Sequence, residues 1–374
     1  HHHADHVLGT PALLGEAPVQ NIPIIAHESL VAGYAEENGA LAELQTLRST
    51  HMFGAALQRA DREGANNGLG PFLSGGEGRF VPPTRTFGER LELTLAGVRL
   101  ELRHVPSEAE SELAVYLPDD RLLLSADIIQ GPTFPNLYTL RGARPRDPLQ
   151  WVRGIDGLRA LPVDALIGQH GPPVRGAAEV SAVLTLYRDQ IQFVHDQTIR
   201  YMNQGYAADE IAAMLRLPPA LAGAGTFAQE FYGTVKHAVP AVFVNKMGWF
   251  SGDPVALDPT PRRELARRLV GLMGGVERLR AEARAAAARG EDQYAAELAT
   301  YLIRVDPADR DARLLKAAAF RRLGNAQRNA IWRSFYLVAA MELSDQIPEA
   351  IYLRRARRVL GEALRGLPAA AQVG

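Results

Sequence analysis

The spacing of apolar residues in this chain changes period near residue 178. Before that point they alternate with polar ones in short runs. The clearest case is LELTLAGVRLELRHV at 91–105, where a central Ala-Gly divides two alternating stretches into a hairpin. Further short apolar runs at 112–117, 122–124 and 165–168 read as strands, and 148–160 reads as a helix. After residue 178 the apolar residues recur at three- and four-residue intervals. That spacing predicts helices over 180–204, 208–215, 259–273, 276–289, 293–305, 311–323 and 326–343, separated by glycine and proline breaks. Such a chain folds as an α/β layer followed by an all-α region, and 374 residues allow two or three domains. The Gly-, Asn- and Pro-rich stretch at 63–84 reads as a long loop.

Composition removes several classes of protein. Cysteine is absent, which excludes disulfides, thiolate metal sites and cysteine nucleophiles. Lys+Arg is 41 against Asp+Glu 42. A generic nucleic-acid binder needs a basic excess to displace counterions, so that balance argues against one. No apolar run is long enough for a membrane-spanning helix. The glycine clusters at 68–70 and 75–78 lack the Lys-Ser/Thr and the strand-turn-helix frame of a phosphate loop. The arginine clusters at 262–263 and 354–358 fit solvated helix faces.

The chemistry gathers around the opening His1-His2-His3-Ala4-Asp5-His6, the pattern HxHxDH. Ligands at alternating positions on a turn leaving a strand can converge from one side, and Asp5 and His6 can serve a second ion nearby. A histidine run at an N-terminus also fits a purification-tag remnant, so the reading depends on what the rest of the chain supplies. It supplies Glu108 in a loop before a strand, Asp127 after the next strand, and His170 in a glycine-proline loop after the run at 165–168. Ligands collect in such strand-end loops in layered α/β folds. The plainer readings are a surface carboxylate for Glu108, flanked by Glu110 and Glu112, a turn cap for Asp127, and a hydrogen-bonded buried histidine for His170.

This order of ligands resembles the metallo-β-lactamase superfamily, from the first residue to about Pro173. There the third ligand of the first metal is usually a histidine in a TPGHTPG-like loop. Here the loop reads VPSEAES, with Glu108 in that place. The change resembles the alkylsulfatase branch. FPNLYTLRGARPRDPLQW at 134–151 is similar to that family's stretch after the bridging carboxylate. HDQTIRYMNQGY at 195–206, EFYGTVKHAVPAVF at 230–243, GWFSGDPVAL at 248–257 and WRSFYLVAAMEL at 332–343 are similar to its helical dimerisation domain. The resemblance implies an αββα sandwich over 1–178, incomplete because strands expected before HxHxDH are absent. It further implies an all-α dimerisation domain over 179–345, and a lead-in at 346–374 to a truncated sterol-carrier-like domain. The family's bridging carboxylate is often Glu, so Asp127 is one methylene shorter.

By this resemblance His1, His3 and Glu108 hold the first of two zinc ions per subunit. Asp5, His6 and His170 hold the second, and Asp127 bridges. A sulfate ester also needs donors. Arg141 is the first choice, because its planar fork matches a tetrahedral oxyanion; Asn136, Tyr232 and His237 follow. Asp127, Arg141, Tyr232 and His237 are the candidate catalytic residues. The implied reaction is hydrolysis of primary alkyl sulfates, of the dodecyl sulfate kind, to alcohol and sulfate by a metal-activated water. Rival readings are another hydrolase of the superfamily (lactonase, thioesterase or phosphodiesterase), or an inactive fragment serving only as a dimerisation module. The expected partners are the small-molecule substrate and a second copy of the chain, with no nucleic acid and no stable membrane insertion. A periplasmic or secreted location is expected, because detergents are met outside the cytoplasm. The start at His instead of Met suggests a fragment or processed form, one expected to bind metal weakly without upstream strands. His195, beside Asp196, is expected to be structural, while His27, His51 and His104 receive no role. Trp249, Phe250 and Phe134 are weighed as lining for an alkyl tail against ordinary core packing.

Overall fold

The computed structural model describes residues 1–15, 22–57, 67–70 and 78–347. They fall into two compact units. One holds the described residues of His1–Thr46 and Gly68–Gly248; the other holds those between Leu47 and Asn67 and from Trp249 on. Of the stretch expected as a glycine-rich loop (63–84), residues 63–66 and 71–77 lie outside the described residues, as does nearly all of the expected C-terminal lead-in (346–374).

The first unit is built on two sheets. Strands β1 (Ile25–His27) and β2 (Arg85–Phe87) pair in parallel. The larger sheet follows chain order: β3 (Arg90–Leu95), β4 (Val98–His104), β5 (Leu113–Leu117), β6 (Leu122–Ala126), β7 (Ala165–Gly168) and β8 (Val174–Arg175). The hairpin expected at 91–105 forms with Leu95 opposite Val98. Its two-residue turn places Ala96 at φ 49° and Gly97 at φ 84°. Two left-handed residues match the right-handed twist of the flanking strands, which is why so short a connection closes.

The order of strand directions matters for function. β5 runs against β6, and β7 runs with β6. The start of β5 and the ends of β6 and β7 therefore share one edge of the sheet. The loop before β5 carries Glu108 and Glu112, while Asp127 and His170 follow β6 and β7.

Helices cover the sheet. Pro148–Arg159 is capped by Asp147, whose carboxylate accepts from the backbone N–H groups of Leu149 and Gln150, with Pro148 preset in the first turn. It buries Trp151, Val152, Ile155 and Leu158 on one stripe. The helix Ala177–Met202 adds Val180, Leu184, Tyr187, Ile191 and Val194 to the same core, where they join Leu123 and Leu166 of the sheet. Val235, Val239 and Val242 of the helix Val235–Met247 complete it. Each fully buried side chain of this size contributes about 1.5–3 kcal/mol.

The second unit is helical, as the spacing predicts. Arg262–Leu272, Val276–Ala288, Asp292–Val305, Arg310–Ala326 and Ala330–Leu343 follow one another through short breaks. Val270, Leu279, Ala283, Leu298, Leu302 and Ala312 form its main core. Arg280 grips Asp309 through two nitrogens at 3.0 and 2.9 Å. Among the described residues no helix is long and apolar enough to cross a membrane.

Candidate metal centre

The sheet edge described above draws the predicted ligands together. Asp127 is aimed by an irregularity. The pairing of β6 with β7 shifts register between Leu124 and Ala126, and Ala126 takes φ 45° and ψ −134°. A register break turns the chain and redirects the next side chain. A non-glycine residue in such a conformation costs about 1–3 kcal/mol. Asp127 then opens a short turn, Asp127–Ile129, which the Trp151 indole N–H ties down through the Ile128 carbonyl at 3.0 Å. His170 stands two residues beyond β7, followed by Gly171 at φ 96°. His3 caps the short helix Ala4–Val7, which carries Asp5 and His6.

The second-ion group is closely matched to a metal. His6 Nε2 lies 3.2 Å from Asp127 Oδ2 and 3.4 Å from Asp5 Oδ2. His170 Nε2 lies 3.4 Å from Asp5 Oδ2 and 3.5 Å from Asp127 Oδ1. Zinc–ligand bonds of about 2.0–2.1 Å put neighbouring donors of a tetrahedron about 3.4 Å apart. His6 Nε2, His170 Nε2 and Asp127 Oδ1 are buried without a hydrogen-bond partner. Orphaned buried donors are rare, and here they belong to residue types that ligate divalent ions. Burial alone would lower the pKa of His6 and of His170, but Asp127 and Asp5 outweigh it and push both up to about 10. Burial would raise Asp5; His170 and His6 hold it well below the usual carboxylate range. A bound cation would take over this balance, since a ligating imidazole must be neutral.

The residues expected to hold the first ion lie near one another. His1 Nε2 and His3 Nδ1 face each other at 2.8 Å, and Glu108 Oε1 is 3.7 Å from His3 Nδ1. Burial first, then Arg141, lowers the pKa of His3 well below its ordinary value, which keeps the ring in its ligating form. Glu108 is not the surface carboxylate of the plainer reading. It is buried, and Arg146 Nη2 donates to its Oε1 at 2.6 Å while the Gln130 amide donates to its other oxygen. His2 turns away, with Nδ1 on Ser111 Oγ at 2.8 Å. His2, His3 and Glu37 also lie close enough to hold an ion. The Arg141 guanidinium on Glu37, at 2.7 Å, opposes a cation there.

The proposed anion donors divide. Arg141 is largely buried and pairs through Nη1 with Glu37 and with Gln45 Oε1 at 3.2 Å. Asn136 is buried, its backbone N–H on Gln130 Oε1 at 2.7 Å and its carbonyl accepting from Arg146. Its side-chain Nδ2 is buried without a partner. Tyr232 is buried within electrostatic reach of Glu108, Arg146 and Arg141. Burial, then Glu108, raises its pKa, so it keeps its proton. His237 lies in the first turn of Val235–Met247, with its backbone N–H on Thr234 Oγ1 at 3.1 Å. Burial, with Lys236 beside it, pushes its pKa down to about 4.

Other sequence candidates resolve plainly. His195 Nδ1 lies 2.8 Å from Asp196 Oδ1. Phe134 is fully buried in the main core, whereas Trp249 is 73% exposed. The sequence reading missed Glu37, Glu112, Gln130 and Arg146. Arg146 sits inside the family-like segment at 134–151, and Glu112 four positions after Glu108. Neither signal separates these residues from surface charges.

The metallo-beta-lactamase superfamily model matches residues 1–170, and the alkyl sulfatase dimerisation model matches residues 207–346. A linear primary-alkylsulfatase of Pseudomonas sp. is 44% identical over 99% of this chain and 71% of its own length. The alkyl/aryl-sulfatase BDS1 of Saccharomyces cerevisiae is 34% identical over 93% of this chain and 55% of its own. The solved structure of the stereoselective inverting sec-alkylsulfatase Pisa1 from Pseudomonas sp. superposes with a TM-score of 0.87 at 32% identity. It covers 93% of this chain and 56% of that protein. The chain thus spans little more than half the length of the latter two.

Proposed function

The chain belongs to the alkylsulfatase family of the metallo-β-lactamase superfamily, and we propose that it hydrolyses primary alkyl sulfate esters to alcohol and sulfate with two zinc ions per subunit, as a homodimer paired through its helical region. The observation that carries the reading is the cluster of Asp5, His6, Asp127 and His170. Each imidazole Nε2 stands 3.2–3.5 Å from both carboxylates, and three of the donor atoms are buried without a hydrogen-bond partner. Two divalent ions bound here and at His1, His3 and Glu108 would acidify a shared water and clamp an anionic ester.

The protein's own residues supply the rest. Arg141 brings a fixed positive charge in a planar fork, the geometry that suits a sulfate group. Glu37 and Gln45 engage its Nη1 and so set its orientation. Asn136 Nδ2 is a buried donor in want of an acceptor, and a sulfate oxygen is one. Tyr232 stays protonated and can donate its phenolic hydrogen to the same anion.

The test is direct. With zinc supplied, the 374-residue chain should release inorganic sulfate from dodecyl sulfate, and Arg141→Ala should raise KM at least about tenfold, the effect of losing a charged hydrogen bond. Turnover of a lactone or phosphodiester with no sulfate release would overturn the sulfatase reading.

A further inference from the structure

We propose that Glu112 is the positioning residue of this centre, one carboxylate that sets the ring of His1 and the backbone of Asp127 together. The inference rests on the two-ion reading above and assigns a role to a residue outside its ligand set. Glu112 is fully buried. Its Oε1 lies 2.9 Å from His1 Nδ1, a residue 111 positions away. The same oxygen accepts the backbone N–H of Asp127 at 3.1 Å.

The two ring nitrogens of His1 thus have separate tasks. Nδ1 donates its hydrogen to Glu112, which leaves the lone pair on Nε2. That is the nitrogen facing His3 Nδ1 at 2.8 Å, within the first-ion group. A carboxylate behind a ligating histidine fixes its tautomer and ring angle and makes it more basic. Here the carboxylate does more, because it also holds Asp127, the expected bridging residue, next to His6 and His170. A shift of Glu112 would move a donor of each group at once. Its second oxygen is buried without a partner. Glu110, two residues earlier, is exposed and has no such place.

The test compares Glu112→Ala and Glu112→Gln with the unchanged 374-residue chain. The first readout is zinc affinity measured against a competing chelator. The second is the His1 tautomer in metal-free protein, read from histidine nitrogen-15 resonances. Glu112→Ala is expected to weaken binding of the first ion about 10- to 100-fold and to lose the Nδ1–H tautomer. Glu112→Gln keeps an acceptor without the charge, so it should restore the tautomer and part of the affinity. Unchanged affinity and tautomer in Glu112→Ala would overturn the proposal. So would loss of one whole ion in Glu112→Ala while Glu108→Ala keeps two, which would make Glu112 a ligand. If Glu112→Ala does not fold, zinc affinity in Glu112→Gln equal to the unchanged chain overturns it instead. If the unchanged chain binds no zinc, the two-ion reading fails, while the tautomer still decides whether Glu112 sets His1.

Discussion

A methyl group on Gly131 would stand 2.5 Å from the carbonyl oxygen of His170. Gly131 also holds φ 125°, a conformation that side chains rarely adopt. Glycine here lets the loop after β6 lie against the loop after β7, which brings His170 up to Asp127. Gly131→Ala should push His170 away. The expected result is zinc affinity reduced at least about tenfold at the second ion, by analogy with loss of a ligand-orienting contact, and stability lowered by about 1–3 kcal/mol. Zinc titration and denaturant unfolding check the two effects.

Arg146 and Glu108 form an ion pair with both side chains almost wholly buried, 3% and 4% exposed. Removing one partner strands the other, so Arg146→Met should cost about 3–5 kcal/mol in metal-free protein. Burial pushes the Glu108 carboxyl up, against the pull of Arg146. With Arg146 gone, an unfolded Glu108 ionises at lower pH than a folded one. That holds even beside Arg146, where the folded value is about 8, and losing Arg146 raises it further, so the penalty should grow as pH rises above about 8 and shrink below it. Unfolding of both forms across the pH range, with chelator present, measures it. A penalty independent of pH would contradict the argument.

In the helical unit His51 Nε2 meets Glu342 Oε2 at 3.2 Å. Burial would lower the pKa of His51, but the bonds to Glu342 and to the Leu47 carbonyl raise it. The bond to His51 lowers Glu342. The contribution of His51 is complete below its ordinary value of 6.5 and fades as pH rises through its raised value. That of Glu342 is complete above 4.5 and fades as pH falls through its lowered value. Glu342→Gln should lower stability most between those two values and not at all well above neutrality. Because Glu342 is half exposed, solvent screening keeps the effect under about 1 kcal/mol. Melting temperatures at about pH 5.5 and about pH 9 separate the two regimes.

Chelation should destabilise the chain. A ligand at a hundred times its Kd adds about 2.7 kcal/mol to the folded state. Melting in excess chelator should fall by several degrees and recover when zinc is returned. No change on either treatment would show that the donor cluster does not hold metal under those conditions.

Much of the fold was legible. The alternation at 91–105 around Gly97 specified a hairpin, because a two-residue turn needs positive φ and glycine supplies it without strain at one of the two positions. Most helices after Ala177 followed from apolar spacing and glycine breaks, but Val235–Met247, which carries Pro240 inside it, was not among them. Asp127 and His170 were legible as types in strand-end loops and Asp5 and His6 as part of HxHxDH, and the structure brings their donor atoms together. Trp151 shows the limit. Its spacing marks a buried face, but its indole bond to Ile128, which steadies the turn bearing Asp127, has no pattern in sequence.

The sequence by itself determined many of the strands and helices and the kinds of donor available, since periodicity and residue chemistry are local properties, though Ile25–His27 and Ala42–Met52 were not among them. Only the tertiary structure decided which charges share the centre: Glu112 under His1, Arg146 and Gln130 on Glu108, Glu37 on Arg141. The physical reason is strand direction. An antiparallel step from β5 to β6 and a parallel step from β6 to β7 place one start and two ends at a single edge, and residues far apart in the chain become neighbours there.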